Sequence, residues 1–287
     1  MNEKQWIEYL KKHVSCFEDV IGIGDDSAVL PDGTLISTDT FVEEIHFSRK
    51  WASWRLIGRK ACEATISDIA AMGGKPLWLL ANLSSSESGG VADELLHGIL
   101  ECGIPLIGGD TTSSQKGAVT LTLTVLGKTE RPVLRSGAKT GDRIFVSGKL
   151  GGTQAGLISL QKGLNLFECE KRFLEPRARL DISESWGALA TSMIDVSDGL
   201  STELNHLSEA SKKRFRIDIS KLPCFSEIEK TGREATELIL ESGEEFELLA
   251  TSNFNLPGGF EIGVVEDGHG VYDGLNEILP RGYDHWS

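Results

Sequence analysis

Seven consecutive residues, Val119-Thr120-Leu121-Thr122-Leu123-Thr124-Val125, alternate apolar and threonine side chains without a break. Successive side chains of a strand point to opposite faces, so this run predicts a strand with one buried face and one polar face. Such a strand suits an antiparallel or mixed sheet packed on one side. Further strands are expected at 34–41, 76–83, 104–107, 143–147, 215–219, 246–251 and 260–265. A helix is expected at 54–72, with Ile57, Ala61 and Ala64 on one stripe, and another at 200–210, with Leu200, Leu204 and Leu207. Strands and helices mix in both halves, which makes the fold class α+β. The 287 residues are nearly twice a domain of about 150, so two domains are expected. The stretch 131–142, rich in Pro, Gly, Ser and charge, is the junction, giving domains 1–135 and 136–287.

Charge narrows the function. Forty-three acidic against 29 basic residues give a net charge of -14, a surface that repels nucleic-acid phosphates. No basic run exceeds Lys212-Lys213-Arg214, so no nucleic-acid partner is expected. Apolar runs such as 77–83 are too short to span a bilayer, and residues 1–13 carry no signal-peptide core. Five cysteines without a CxxC pair suit reduced thiols and a cytoplasmic protein.

Five short stretches combine glycine, hydroxyls and carboxylates: 22–27 (GIGDDS), 37–40 (STDT), 67–68 (SD), 108–112 (GGDTT) and 195–199 (DVSDG). Each places an aspartate where a strand ends or a helix begins. Singly, each also satisfies the needs of an N-cap or a turn. Asp68 is different. On the 54–72 helix it falls on the face of Ile57, Ala61 and Ala64, where a carboxylate must be paired or bound to a cation. Lys60 is two turns away, a poor direct partner. No GxSxG, HExxH or GxxxxGK[ST] motif occurs. Many hard oxygen donors with few His or Cys favour Mg²⁺ over Zn²⁺, and carboxylates beside open backbone amides suit a polyphosphate.

The stretches IGDDSAVL, STDTFVEEIHF, GRKACEATISDIAAMGG, LIGGDTTSS, RSGAKTGDRIFVSG, MIDVSDGL and ESGEEFELL, in this order, resemble the thiamine-monophosphate kinases. That family lies in the superfamily of aminoimidazole ribonucleotide synthetase and selenophosphate synthetase. The likeness runs from about residue 22 to 247, with an echo in GYDHW at 282–286.

The resemblance implies ATP-dependent phosphorylation of thiamine monophosphate to thiamine diphosphate. The alternatives are another ATP-dependent reaction of the superfamily, or a non-catalytic nucleotide-binding homologue. It implies an aminoimidazole ribonucleotide synthetase-like fold, with an N-terminal domain that pairs with a second copy into a dimeric β-barrel and a C-terminal α/β domain. Position by position, Asp26, Ser37, Thr38, Asp39, Asp68, Asp110 and Asp195 match magnesium ligands, and Asp198 is similar to a further metal contact. Gly109, Asp110, Arg135 and Ser197 match ATP contacts. His46 and Glu244 match contacts to the acceptor, and Tyr283 or Trp286 matches the stacking aromatic. No obligatory side-chain base is expected, because the attacking group is already a phosphate oxygen. The sequence departs from the family where GGEDYE reads Ser242-Gly243-Glu244-Glu245-Phe246-Glu247, where Asp-Ser reads Gly152-Thr153, and at Ser113 in place of a common basic residue.

Overall fold

The computed structural model describes residues 3–14, 19–87, 89–114 and 118–283. The first half forms α1 (Glu3–His13), β1 (Ala28–Val29), β2 (Thr34–Val42), α2 (Trp54–Ala71), β3 (Lys75–Ser84), α3 (Gly89–Leu100), β4 (Leu106–Thr112) and β5 (Thr120–Lys128). The second half begins with β6 (Arg143–Val146), α4 (Gly152–Lys162), α5 (Phe167–Leu174), α6 (Leu180–Leu189), β7 (Ser192–Asp195) and α7 (Leu200–Ser211). It continues through β8 (Arg214–Ile217), α8 (Ala235–Glu241), β9 (Leu248–Ser252), β10 (Phe260–Glu266), β11 (Val271–Asp273) and β12 (Asn276–Glu277).

Five strands make one sheet in the order β1-β2-β5-β3-β4, and seven make a second in the order β12-β11-β8-β10-β6-β9-β7. The alternating run is β5, antiparallel to both β2 and β3. Its Leu121, Leu123 and Val125 are buried against α2, while its threonines face outward. On that outer face Thr124 meets Thr38 and Thr122 meets Thr40, each hydroxyl pair at 2.9 Å. Trp78 of β3, opposite Leu126, is also exposed. The five strands of one chain form an open sheet, with no closed barrel among the described residues.

Helix α2 starts at Ser53, whose hydroxyl accepts from the amide of Leu56. Apart from a side with Arg55, Arg59 and Glu63 it buries most of its residues, the mark of a helix enclosed by protein. Ile57, Ala61, Ile66 and Ile69 pack under the first sheet, whereas Ala70 and Ala71 join Phe145, Trp186, Met193 and Leu248 of the second half. Both halves therefore share α2. At its end Gly73 meets Gly187 of α6 backbone to backbone: a Cβ on Gly73 would lie 2.9 Å from the Gly187 Cα. A side chain at either position would wedge the halves apart.

Two strand expectations shift. The strand expected at 104–107 is β4, which runs on through the Gly-Gly-Asp motif to Thr112. Gly109 permits this, because a Cβ there would sit 1.8 Å from the Ala81 carbonyl of the parallel neighbour β3. The strand expected at 246–251 starts only at Leu248. Glu244 and Phe246 both have left-handed backbone, φ 56° and 49°, in a loop ahead of it. Strand β7, buried at every position, has no alternation to betray it. Among the described residues no helix is long and apolar enough to cross a membrane.

Candidate active site

Strand β2 sends Ser37 and Asp39 toward α2 and Thr38 the other way, as strand alternation requires. Ser37 Oγ donates to Asp68 Oδ2; burial raises the Asp39 carboxyl, with the nearby Thr65 hydroxyl working against the rise. Thr38 Oγ1 instead donates to the Leu123 carbonyl at 3.1 Å, on the outer face. Asp68 is no cap, since α2 begins at Ser53 and ends at Met72. It stands where the apolar stripe of α2 meets the second half, and there Asp195 arrives at the end of β7. Ser67 Oγ, buried beside it, donates to Asp195 Oδ2 at 2.6 Å. The third acid, Asp26, comes from the loop before β1.

Carboxylate oxygens of Asp26, Asp68 and Asp195 lie within 4.8 Å of one another. Asp26 Oδ1 accepts from Arg135 Nη2 at 2.7 Å, but its buried Oδ2 has no hydrogen-bond partner. Burial pushes the Asp26 carboxyl above its ordinary range, and the Arg135 charge works against that rise. Burial, reinforced by Asp39, Asp195 and Asp26, raises Asp68 well above 3.8. Asp195 is raised likewise, by burial first and then by Asp26. Three crowded acids, one with an orphaned buried oxygen, fit a small hard dication with oxygen ligands. Asp39 lines the same cleft and repels Asp68.

The cleft holds about 470 Å³, enough for a small organic ligand. Beside Asp39, Asp68 and Asp195 it is walled by Phe41, His46, Ser197, Glu244 and Phe246. The Val42 amide donates to His46 Nδ1 at 3.0 Å, so a neutral ring carries its proton on Nε2. Asp198 follows Ser197, and its carbonyl accepts from the Tyr283 amide at 3.2 Å. Tyr283 is 57% exposed. Trp286 lies outside the described residues. Gly109 and Asp110 are exposed on the edge strand β4, and Asp110 is not part of the three-acid group.

Three residues at this site were assigned no role from the sequence, although Ser67 stood in one of the five stretches and Lys60 was weighed as a partner of Asp68. Ser67 is one. Glu203, 1% exposed, accepts from the Asp198 amide at 3.0 Å and from Ser197 Oγ at 3.4 Å, and His206 Nδ1 lies 2.9 Å from its other oxygen. Its signal was available: Glu203 falls on the stripe of Leu200 and Leu207, as Asp68 does on its own helix. Lys60 is the third. It is no partner of Asp68; its Nζ bonds Glu244 Oε2 at 2.8 Å.

Residues 24–129 match the family model of the AIR synthase related protein N-terminal domain, and 139–272 match that of its C-terminal domain. The thiamine-monophosphate kinase of Aquifex aeolicus is 34% identical over 288 residues, covering 92% of each chain. That of Bacillus subtilis is 36% identical over 251 residues, 80% of this chain and 77% of its own. The chain belongs to the thiamine-monophosphate kinase family. Among solved structures, AaThiL complexed with AMPPCP and TMP superposes with a TM-score of 0.91 at 32% identity, covering 99% of this chain and 97% of that one.

Membership in the kinase family gives meaning to the altered 242–247 segment, because its departures bond to one another. Ser242 Oγ, where the family has glycine, donates to Glu245 Oε1 at 2.7 Å, where the family has aspartate. The amide of Thr153, in the other altered stretch, donates to the same oxygen at 3.1 Å, and Arg172 Nε reaches Glu245 Oε2 at 3.2 Å. The longer acid is thus fully satisfied. Phe246, in place of tyrosine, is 5% exposed in the first-half core, where a hydroxyl would need a partner of its own.

Proposed function

We propose that this chain transfers the γ-phosphoryl group of ATP to thiamine monophosphate, giving thiamine diphosphate and ADP. The observation that carries the reading is whole-chain likeness to a kinase structure complexed with AMPPCP and TMP, joined to a cleft with the matching chemistry. Asp26, Asp68 and Asp195, with Ser37, Asp39, Asp110 and Asp198 as further candidates, would hold Mg²⁺; the side chain of Thr38, on the outer face, does not reach them. When bound, Mg²⁺ neutralises phosphate charge. Arg135, fixed by Asp26 and by its own amide bond to Asp25 Oδ1 at 2.7 Å, serves the ATP phosphates with Ser197, Gly109 and Asp110. His46 and Glu244 orient the acceptor, and Tyr283 or Trp286 stacks on its ring. Phosphoryl transfer then depends on alignment and charge neutralisation, with no protein base.

The reading includes a division into 1–135 and 136–287 and a twofold homodimer. An outer sheet face carrying exposed Trp78 and an open β4 edge supports the second. A second copy on this face would close a barrel from the two N-terminal halves. It also includes a cytoplasmic setting, supported by four unpaired cysteines among the described residues. Offering Mg²⁺-ATP with thiamine monophosphate, free thiamine or an aminoimidazole ribonucleotide precursor tests the acceptor. Only the first should be phosphorylated at an appreciable rate, and preference for either of the others rejects this assignment.

A further inference from the structure

Glu244 is held in an unusual way. Its backbone is left-handed, its amide donates to the Ser197 carbonyl at 2.6 Å, and its carbonyl accepts from Thr153 Oγ1 at 3.3 Å. The second half thus fixes its main chain. Its carboxylate is gripped from the first half, by Lys60 of α2 at 2.8 Å. Lys60 is 7% exposed, and its ammonium sits 4.1 Å over the ring of Phe173 on α5. A lysine this enclosed is held in one place by a charge partner and an aromatic face. The Glu244 side chain keeps 31% of its surface open and lines the cleft, and its Oε1 has no hydrogen bond among the described residues.

Building on the acceptor role given to Glu244 above, we propose that Lys60 is a positioning residue for the acceptor. Its buried ammonium anchors one oxygen of Glu244 and leaves the other presented to the cleft. A glutamate on an open wall would otherwise lose its rotamer freedom only when acceptor binds, which weakens binding. Lys60 fixes that side chain in advance. One residue earlier, Arg59 makes a contrasting pair with Glu175, at 3.0 Å and again between the halves, but neither residue lines the cleft. A simple clamp between the halves could be made by either pair; only Lys60 acts on a wall residue.

The test is a double-mutant cycle read in steady-state constants for both substrates. Lys60→Met should raise the KM for thiamine monophosphate about tenfold, leaving the KM for ATP within about twofold and kcat little changed, the pattern of lost ground-state binding. Lys60→Met combined with Glu244→Gln should be no worse than Glu244→Gln alone, because Lys60 acts through that carboxylate. Arg59→Ala should leave the KM for thiamine monophosphate within about twofold. Should Lys60→Met not fold, Phe173→Leu, which removes the ring beneath the ammonium, should raise the same KM alone. Equal shifts in both KM values, multiplicative effects in the cycle, or an unchanged acceptor KM would overturn the proposal. An inactive wild type would instead reject the kinase reading itself.

Discussion

Arg135 meets Asp26 at 2.7 Å through one carboxylate oxygen, while the second oxygen of Asp26, equally buried, meets no donor. The arginine therefore balances one oxygen of an acid that also stands within 4.8 Å of Asp68 and Asp195. This asymmetry would suit the Mg²⁺ site proposed above: enough positive charge to fold, with one oxygen left for a cation.

Replacing Arg135 by Gln should consequently weaken the metal-free protein. Breaking a fully buried pair costs about 3–5 kcal/mol, and the 25% exposure of the Arg135 side chain reduces that to roughly 2 kcal/mol. Urea midpoints in EDTA and in Mg²⁺ measure it. The loss should shrink when Mg²⁺ is present, and a loss of the same size in both buffers contradicts the shared balance.

Asp68→Asn should have opposite effects on stability and activity. Two unit charges about 4 Å apart at an effective dielectric near 20 repel by an upper bound of about 4 kcal/mol, so removing one stabilises the metal-free fold by a fraction of that. Melting curves in EDTA should shift upward by several degrees, phosphoryl transfer should fall by at least about a hundredfold, and Mg²⁺ should no longer raise the melting temperature as it does in wild type. Lower stability with intact activity contradicts this.

The pH dependence follows from the same carboxylates. Burial and neighbouring acids raise Asp68 and Asp195 well above 3.8 in the folded chain, so folding favours their protonated forms. Their contribution is full below 3.8 and is lost as pH rises through the folded values. Asp181, lowered by its bond to Arg179, contributes above 3.8 and loses its effect only as pH falls below that. From about pH 4 upward the metal-free protein should thus lose stability as Asp68 and Asp195 ionise. The gain from Asp68→Asn should be largest at the upper end. Urea midpoints in EDTA across that range check both slopes.

Much of this was legible in the sequence, for local reasons. The unbroken alternation at 119–125 located β5 and its buried face, and an acid on the Ile57-Ala61-Ala64 stripe marked Asp68 as a residue needing a partner. The partners themselves were not legible. Ser67 reaches Asp195 across 128 residues, and Lys60 reaches Glu244 across 184. Only the shared burial of α2 between two sheets brings them together. The continuation of β4 through Gly109 was hidden too, because glycine usually signals a turn and serves here to admit the Ala81 carbonyl.

The threonine face predicts assembly. Light scattering should give about twice 31.2 kDa. Thr122→Arg, which replaces the hydroxyl paired with Thr40 by a charge on the outer face, should yield the single-chain mass without unfolding the chain. A wild-type particle of single-chain mass at micromolar concentration contradicts the homodimer.

The central claim is most directly tested by mass spectrometry of a reaction containing the purified protein, ATP, Mg²⁺ and thiamine monophosphate, with Asp68→Asn run alongside. Wild type should form thiamine diphosphate and ADP in equal amounts, and the variant almost none of either. ADP appearing without thiamine diphosphate, or equal product from both proteins, would contradict the account.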